Sequence, residues 1–197
     1  MITFRLLISP AVLLLVCWGL QASATSLLPV SPQRMSAIAE SIFHGRVIDN
    51  TVKLDPASGR VATFTTFKVL EAIKGNVEET HTIKQIGGHL PGSSVRLVIH
   101  GVPRFETGAE YVVFMPAPSS LGFASPIGLS QGKFDIQRLN GEAVIINGRG
   151  FASPASNDSA QTAVKLPSAV ELDQSPARAD AVPLADFLQS VRGMAKE

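Results

Sequence analysis

The sequence predicts a mainly β domain, a small antiparallel barrel with a short helix before it and a second helix at the C-terminus. Three observations predict this fold class. Apolar and polar residues alternate in about seven short segments between residues 43 and 147, as in half-buried strands. Turn-forming residues separate these segments at short, regular intervals, which is typical of sandwiches and barrels. The pair Asn140-Gly141 lies between two such segments and predicts a two-residue hairpin turn.

Charge and cysteine content exclude several classes of protein. The 197 residues include 17 Lys and Arg against 16 Asp and Glu, a formal net charge of +1. Nucleic-acid-binding domains usually have a basic surplus, so nucleic acid is not an expected partner. Cys17 is the one cysteine, which rules out a disulfide within the chain and a zinc site built on cysteines. The domain must therefore be held together by aliphatic and phenylalanine side chains.

Residues 1–24 have the pattern of a cleavable export signal. Arg5 precedes an apolar run over residues 6–20, and Ala22-Ser23-Ala24 matches the small-x-small cleavage pattern. The run is short for a membrane-spanning helix, which needs about 20 residues. An uncleaved anchor and lipidation of Cys17 are the alternatives, but Val16 is bulky where a lipoprotein signal has a small residue. We expect a periplasmic or secreted protein without membrane attachment after cleavage.

A helix cap and an alternation of apolar and polar residues predict the first two elements of the domain. Ser31 as N-cap and Pro32 as first helical residue predict a short helix that ends near Ser41. Alternation from Phe43 onward predicts a strand, and Gly45 inside it indicates a bulge or a sharp bend.

The central strands are predicted where β-branched and aromatic residues lie between turns. These strands cover residues 61–70, 80–86, 95–100, 111–115 and 127–129. Residues 111–115 are apolar on both faces, which predicts the most buried strand. One helical turn is expected at 71–74, before Gly75, and the Asn140-Gly141 turn joins predicted strands 131–139 and 142–147.

The chain changes character after Phe151. Residues 152–181 are rich in Ala, Ser, Pro, Asp and Gln and are interpreted as a flexible linker. Pro183 opens an amphipathic helix within 182–197, and its apolar stripe consists of Leu184, Phe187, Leu188 and Val191. We expect this stripe to dock on the domain of residues 25–151, with a partner or a membrane surface as the alternative.

The string Gly128-Leu129-Ser130-Gln131-Gly132 matches the G-x-S-x-G motif of serine hydrolases. That motif requires a helix after the serine, but residues 133–137 alternate like a strand. It also requires a later histidine, and none follows His100. No catalytic residue is therefore assigned, and the protein is expected not to be an enzyme.

Four histidines are the candidate metal ligands: His44, His81, His89 and His100. No two of them have the H-x-H or H-x-x-x-H spacing that presents a pair of imidazoles to one ion. Convergence in space stays open, with His89 as the first candidate and Asp49 or Glu106 as its carboxylate partners. Neither a metal nor a cofactor is predicted.

An irregular loop over residues 87–92 is the candidate binding site. Its candidate residues are Gly87, Gly88, His89, Pro91 and Gly92. The loop is not a phosphate-binding loop, because no Gly-Lys-Ser/Thr follows and because it leads into a predicted strand rather than a helix.

Five phrases of the sequence also show a resemblance to a known fold family. They are SIFHGRV at 41–47, TFKVLEAIKG at 66–75, TIKQIGG at 82–88, FETGAEYVVF at 105–114 and QGKF at 131–134. In this order they resemble exported bacterial proteins of uncharacterised function, and the N-terminal domain of the tissue inhibitors of metalloproteinases and other netrin-like modules. The resemblance covers roughly residues 41–137 and implies an OB-type Greek-key barrel of five or six strands with flanking helices.

One departure limits what the resemblance implies about function. Those inhibitors bind the protease zinc through an N-terminal cysteine, and cleavage after Ala24 would leave this chain without cysteine. No residue here is therefore expected to bind a protease zinc. The sequence predicts an exported, non-enzymatic barrel module that binds a ligand or, as its partner, an exported protein. Partnering or inhibition of an exported metalloprotease through the 87–92 loop is the alternative.

Overall fold

The computed structural model describes residues 28–147 and 181–196. The predicted export signal, residues 1–24, and residues 152–180 of the predicted linker lie outside the described residues. Within the described part, no helix is both long enough and apolar enough to cross a membrane.

The described residues form two helices, nine strands and one 3-10 helix. The helices are α1 (Pro32–Ile38) and α2 (Leu184–Met194). The strands are β1 (Ser41–Leu54), β2 (Val61–Lys74), β3 (Thr80–Ile86), β4 (Gly88–His89), β5 (Arg96–Leu97), β6 (Glu110–Met115), β7 (Lys133–Leu139), β8 (Glu142–Ile145) and β9 (Val182–Pro183). The 3-10 helix covers Leu129–Gly132.

Seven strands form one antiparallel sheet in the order β3-β2-β1-β6-β7-β8-β9, and β4 and β5 form a separate ribbon. The mainly β prediction is confirmed, but the predicted closed barrel is wrong for the described residues. β3 and β9 end the sheet without pairing with each other. The chain after β6 runs beside β3 instead, where the Ala124 backbone N–H donates to the Lys84 carbonyl at 2.9 Å. This contact protects part of the outer edge of β3.

The sheet has a hydrophobic core on each face because β1 and β6 alternate apolar residues toward both sides. Ile42 and Phe114 belong to the cluster that packs beneath α1 and α2. Phe43 and Val113 belong to the opposite cluster, where Phe43, Phe67 and Phe105 make edge-to-face contacts with centroids 5.2–5.3 Å apart. The prediction that residues 111–115 are the most buried strand is consistent with all five being buried.

Several predicted elements match the structure. β3 has the predicted bounds, and a register shift between His44 and Gly45 is the expected bulge. Asn140 and Gly141 have φ of 53° and 89°, as a two-residue hairpin turn between β7 and β8 requires. The predicted docking of the C-terminal helix is also observed, since Phe187, Leu188 and Val191 are buried in the core beneath the helices.

Other predicted elements are wrong. Residues 71–74 continue β2 instead of forming a helical turn, because backbone pairing with β1 extends to Lys74. The predicted strand 95–100 is reduced to Arg96–Leu97. The predicted strand 127–129 is replaced by the 3-10 helix, because Gly128 and Leu129 have positive φ values of 61° and 60° that interrupt an extended chain. Helix α1 ends at Ile38, before the expected Ser41.

Candidate functional site

A cavity of about 580 Å³ lies between the sheet and residues 87–105. We call residues 87–105 the wall segment. β1 and β2 each have 14 residues, and β6 pairs only with the first six residues of β1, Ser41 to Arg46. The far half of β1 therefore lies beyond β6, and together with β2 and β3 it forms the cavity floor.

The floor is the polar continuation of the second hydrophobic core. Side chains at alternate positions of a strand share a face, so Thr63 and Thr65 lie on the face of Phe67, and Gln85 on the face of Ile83. In β1, a register shift between Val47 and Asp49 offsets the alternation by one residue. Asn50 and Val52 consequently join this face and line the cavity with the threonines and Gln85.

Hydrogen bonds hold the floor and attach it to the wall segment. The Thr65 hydroxyl donates to Asn50 Oδ1 at 2.7 Å, and Asn50 Nδ2 donates to the Phe105 carbonyl at 2.9 Å. The Thr63 hydroxyl donates to the Gly87 carbonyl at 2.7 Å. Each hydroxyl keeps lone pairs that can accept a further hydrogen bond. The floor is thus a fixed surface of neutral polar groups.

Gln85 is the most informative of these groups. Its side chain is buried, with the residue 3% exposed, and Nε2 donates to the Pro103 carbonyl at 3.3 Å. Oε1 accepts no hydrogen bond from any residue within the described ranges. Among the described residues, Ser36 Oγ is the one fully buried side-chain oxygen or nitrogen without a hydrogen-bond partner. Gln85 Oε1 therefore keeps contact with solvent, and this acceptor at the cavity is available to a ligand or to water.

The wall segment approaches the floor closely because it begins with two glycines. Gly87 and Gly88 have φ of 103° and 134°, which side-chain-bearing residues rarely adopt. A Cβ on Gly88 would lie 2.6 Å from Val52 Cγ1 and 2.8 Å from Thr63 Oγ1. The glycine pair therefore lets the backbone rest directly on the floor residues.

The structure places the five residues of the predicted binding loop in two groups. Gly87, Gly88 and His89 line the cavity, whereas Pro91 and Gly92 do not and lie in the turn between β4 and β5. His89 is exposed, and its Nε2 lies 3.1 Å from the Ser93 carbonyl.

The wall segment contributes positive charge and apolar surface. Arg96 and Arg104 line the cavity and are exposed, and neither forms an ion pair with a residue that the structure describes. The described lining residues include no aspartate or glutamate. Val98 and Ile99 also line the cavity and are 48% and 38% exposed. The cavity thus combines a neutral polar floor with a basic and apolar wall.

Sequence reasoning missed the floor residues. Asn50 reaches the cavity face only because of a bulge whose position the alternation does not reveal. One signal was present: Thr63 and Thr65 interrupt the apolar row that Val61 and Phe67 form at alternate positions of β2. Polar residues in such a row indicate a change from core to cavity.

The other candidate chemistry does not assemble in the described part of the chain. No three His, Cys, Asp or Glu residues there are grouped closely enough to bind a metal ion. Ser130 lies exposed in the 3-10 helix, and no imidazole among the described residues hydrogen-bonds its hydroxyl.

Two of the four candidate histidines interact with neighbouring side chains of the sheet. His44 Nε2 lies 3.2 Å from Glu110 Oε2, and Glu110 also binds Arg46. Burial tends to raise the pKa of Glu110, but the hydrogen bonds from Arg46 and His44 outweigh it and lower the pKa. His81 packs edge-on against Phe43, and burial lowers its pKa.

Comparison with known proteins adds no family assignment: no family model matches the chain, and no curated protein matches its sequence.

Proposed function

We propose that the chain is an exported, non-enzymatic β module that binds a small-molecule ligand in the cavity. The supporting observation is the buried Gln85 carboxamide, whose free Oε1 lies at a cavity of about 580 Å³. Ligand pockets commonly have volumes of about 300–1,000 Å³ and contain a few fixed polar groups. The size of the cavity and the kind of groups that line it both match this description.

The energetics of the floor support the same proposal. Apolar side chains at Thr65 and Gln85 would extend the adjoining core and avoid the cost of burying polar groups. Hydrogen bonds from Thr65 and Asn50 instead hold the floor in one arrangement, so a ligand would meet a pre-organised surface. A surface of this kind is more useful for recognition than for stability.

Two parts of the proposal rest on the sequence. Export rests on the pattern of residues 1–24, and N-terminal sequencing of the exported protein should find Thr25 as the first residue. The OB-type relationship rests on the resemblance over residues 41–137. An OB barrel is a partly open, five-stranded Greek-key barrel. A barrel opened beside β3 would be compatible with the five-strand run β3-β2-β1-β6-β7.

Blocking the cavity tests the binding function. Val52 is half-buried and lines the cavity, while Leu54, two residues further on the same strand, is 55% exposed and lies outside the lining. The neutral fluorescent probe N-phenyl-1-naphthylamine should bind the wild-type protein and Leu54→Trp with similar Kd values. Val52→Trp should weaken binding at least about tenfold, since an indole would occupy part of the cavity.

Circular dichroism and thermal melting must show that both variants are folded. Equal binding of the probe by wild-type protein, Val52→Trp and Leu54→Trp would contradict a ligand site in the cavity.

A further inference from the structure

We infer that the cavity selects an anionic amphiphile, a small molecule with one negatively charged group, an apolar body and a hydrogen-bond donor. This inference rests on the proposed ligand-binding function and specifies its ligand class. It depends on the distribution of charge, apolar surface and free acceptors among the lining residues.

The negative charge of the expected ligand follows from the arginines of the wall segment. Arg96 and Arg104 are the arginines of the lining, and neither has a carboxylate partner among the described residues. Elsewhere in the described chain, arginines 46 and 192 form ion pairs with Glu110 and Glu71, whereas arginines 34, 60 and 138 have no carboxylate partner among the described residues. Arg96 and Arg104 differ from these three because both line the same cavity. Guanidinium groups bind carboxylate, sulfonate and phosphate oxygens through directed N–H donors, so two unpaired arginines at one cavity favour an anion.

The apolar body of the expected ligand follows from the apolar side chains of the wall segment. Val98 and Ile99 expose apolar surface at the cavity, and Leu97 and Val102 also line it. A ligand that covers these side chains removes apolar area from water, which favours binding in proportion to the area covered. A small hydrophilic anion such as inorganic phosphate would leave this surface exposed.

The hydrogen-bond donor of the expected ligand follows from the free acceptors of the cavity floor. Gln85 Oε1 is free to accept, and the hydroxyl oxygens of Thr63 and Thr65 already donate their protons within the protein. The groups that remain for a ligand on these three side chains are mainly acceptors. A ligand with an N–H or O–H at its buried end would satisfy Gln85, whereas one with only acceptors there would leave it unpaired.

Two probes of the same skeleton separate charge from apolar burial. 1-Anilinonaphthalene-8-sulfonate has the sulfonate group, and N-phenyl-1-naphthylamine is the neutral analogue without it; both have one N–H. The sulfonate should bind the wild-type protein more tightly, and its binding should weaken as salt is added. Replacement of both arginines, Arg96→Gln with Arg104→Gln, should weaken sulfonate binding about fivefold and leave the neutral probe unchanged.

Arg138→Gln is the matched control, because Arg138 is exposed on β7 and outside the lining. It should leave the binding of both probes unchanged. All of these substitutions are at exposed positions, so the variants should fold, and thermal melting verifies this.

The outcomes distinguish the two proposals. Suppose that Val52→Trp weakens binding of the neutral probe, but that the sulfonate binds the wild-type protein no more tightly than the neutral probe and the arginine double variant binds the sulfonate like the wild type. The anionic ligand class would then be wrong, and the cavity would remain the binding site. If neither probe responds to Val52→Trp, the cavity is not the site and both proposals are wrong. Equal loss in Arg138→Gln and in the arginine pair would mean that net charge, not the cavity, attracts the sulfonate.

Discussion

The hydroxyl of Thr65 connects the two longest strands inside the sheet. The residue is 1% exposed, and its only hydrogen-bond acceptor among the described residues is Asn50 Oδ1, directly across the β1–β2 pair. Asn50 in turn holds the wall segment through the Phe105 carbonyl. Loss of one hydroxyl would therefore leave an amide oxygen without its donor at the start of a short network.

Thr65→Val tests this network at nearly constant side-chain volume. We expect the free energy of unfolding to fall by about 1 kcal/mol, because the hydrogen bond from the buried Thr65 hydroxyl to the half-buried Asn50 side chain is lost. Urea denaturation monitored by circular dichroism measures the change.

Thr66→Val is the control on the neighbouring residue, where the hydroxyl pairs with Thr82 at an exposed position. Its effect should stay within about 0.5 kcal/mol, as at ordinary surface sites. Equal effects of the two substitutions would mean that the Thr65–Asn50 hydrogen bond has no special weight.

At the scale of elements, one ion pair joins the β1–β2 turn to β3. Lys84 Nζ donates to Asp55 Oδ1 at 2.8 Å, and Asp55 Oδ2 accepts from the Ser58 backbone N–H at 3.0 Å. Lys84 Nζ also lies 4.4 Å from the ring centroid of Phe123, in the segment that runs beside β3. Lys84 and Asp55 therefore link the β1–β2 turn, β3 and the segment that contains Phe123.

The hydrogen bond from Lys84, followed by that from the Ser58 hydroxyl, lowers the pKa of Asp55 below its ordinary value of 3.8. In the unfolded chain the carboxylate binds a proton at higher pH than in the folded protein, so acidification favours unfolding. The contribution of Asp55 is complete well above the ordinary pKa and is lost as the pH falls through the lowered value.

Asp55→Asn should therefore reduce stability at neutral pH and flatten its decline below about pH 4. Urea midpoints measured over this range compare wild-type protein and variant. Glu142→Gln, at an exposed position on β8, is the control and should keep the wild-type acid dependence. Identical acid profiles of wild-type protein and Asp55→Asn would remove the ion pair as a source of pH dependence.

Local patterns were sufficient to predict some elements, and the reasons are physical. β3, the Asn140-Gly141 hairpin and α2 were predictable because alternation, a turn requirement for positive φ and an apolar stripe are properties of a few neighbouring residues. Residues 71–74 were mispredicted because pairing with β1, distant in sequence, overrides a local helical preference. The cavity floor was missed for the same reason, since Gln85 and Asn50 come to line one cavity only in the folded sheet.

At the scale of the whole molecule, the sheet separates two hydrophobic cores with different surroundings. The face beneath α1 and α2 is covered by Phe187, Leu188 and Val191, which are all buried. The opposite face is apolar near β6 and becomes the polar cavity floor beyond it. The core covered by the helices thus lies on one side of the sheet, and the second core and the proposed binding cavity lie on the other.

This arrangement predicts how the molecule responds when its chain is cut. α2 and β9 lie after the predicted linker, yet β9 pairs with β8 and the Arg192 guanidinium binds the Glu71 carboxylate at 2.7 Å and 2.8 Å. Insertion of a specific protease site after Lys165, within the predicted linker, allows the chain to be cut without altering a described element. The two fragments should stay together and elute from a size-exclusion column as one species.

Phe187→Ala should allow the cut fragments to separate, because truncation of a buried phenylalanine costs about 3–5 kcal/mol. Phe187 is 0% exposed, and its ring lies 4.9 Å from that of Phe134 across the sheet–helix contact. Gln189→Ala, at an exposed position of the same helix, is the matched control and should leave the fragments associated. Separation of the unsubstituted fragments would show that α2 contributes little to the core. Other residues would then have to cover the face of the sheet beneath α1 and α2.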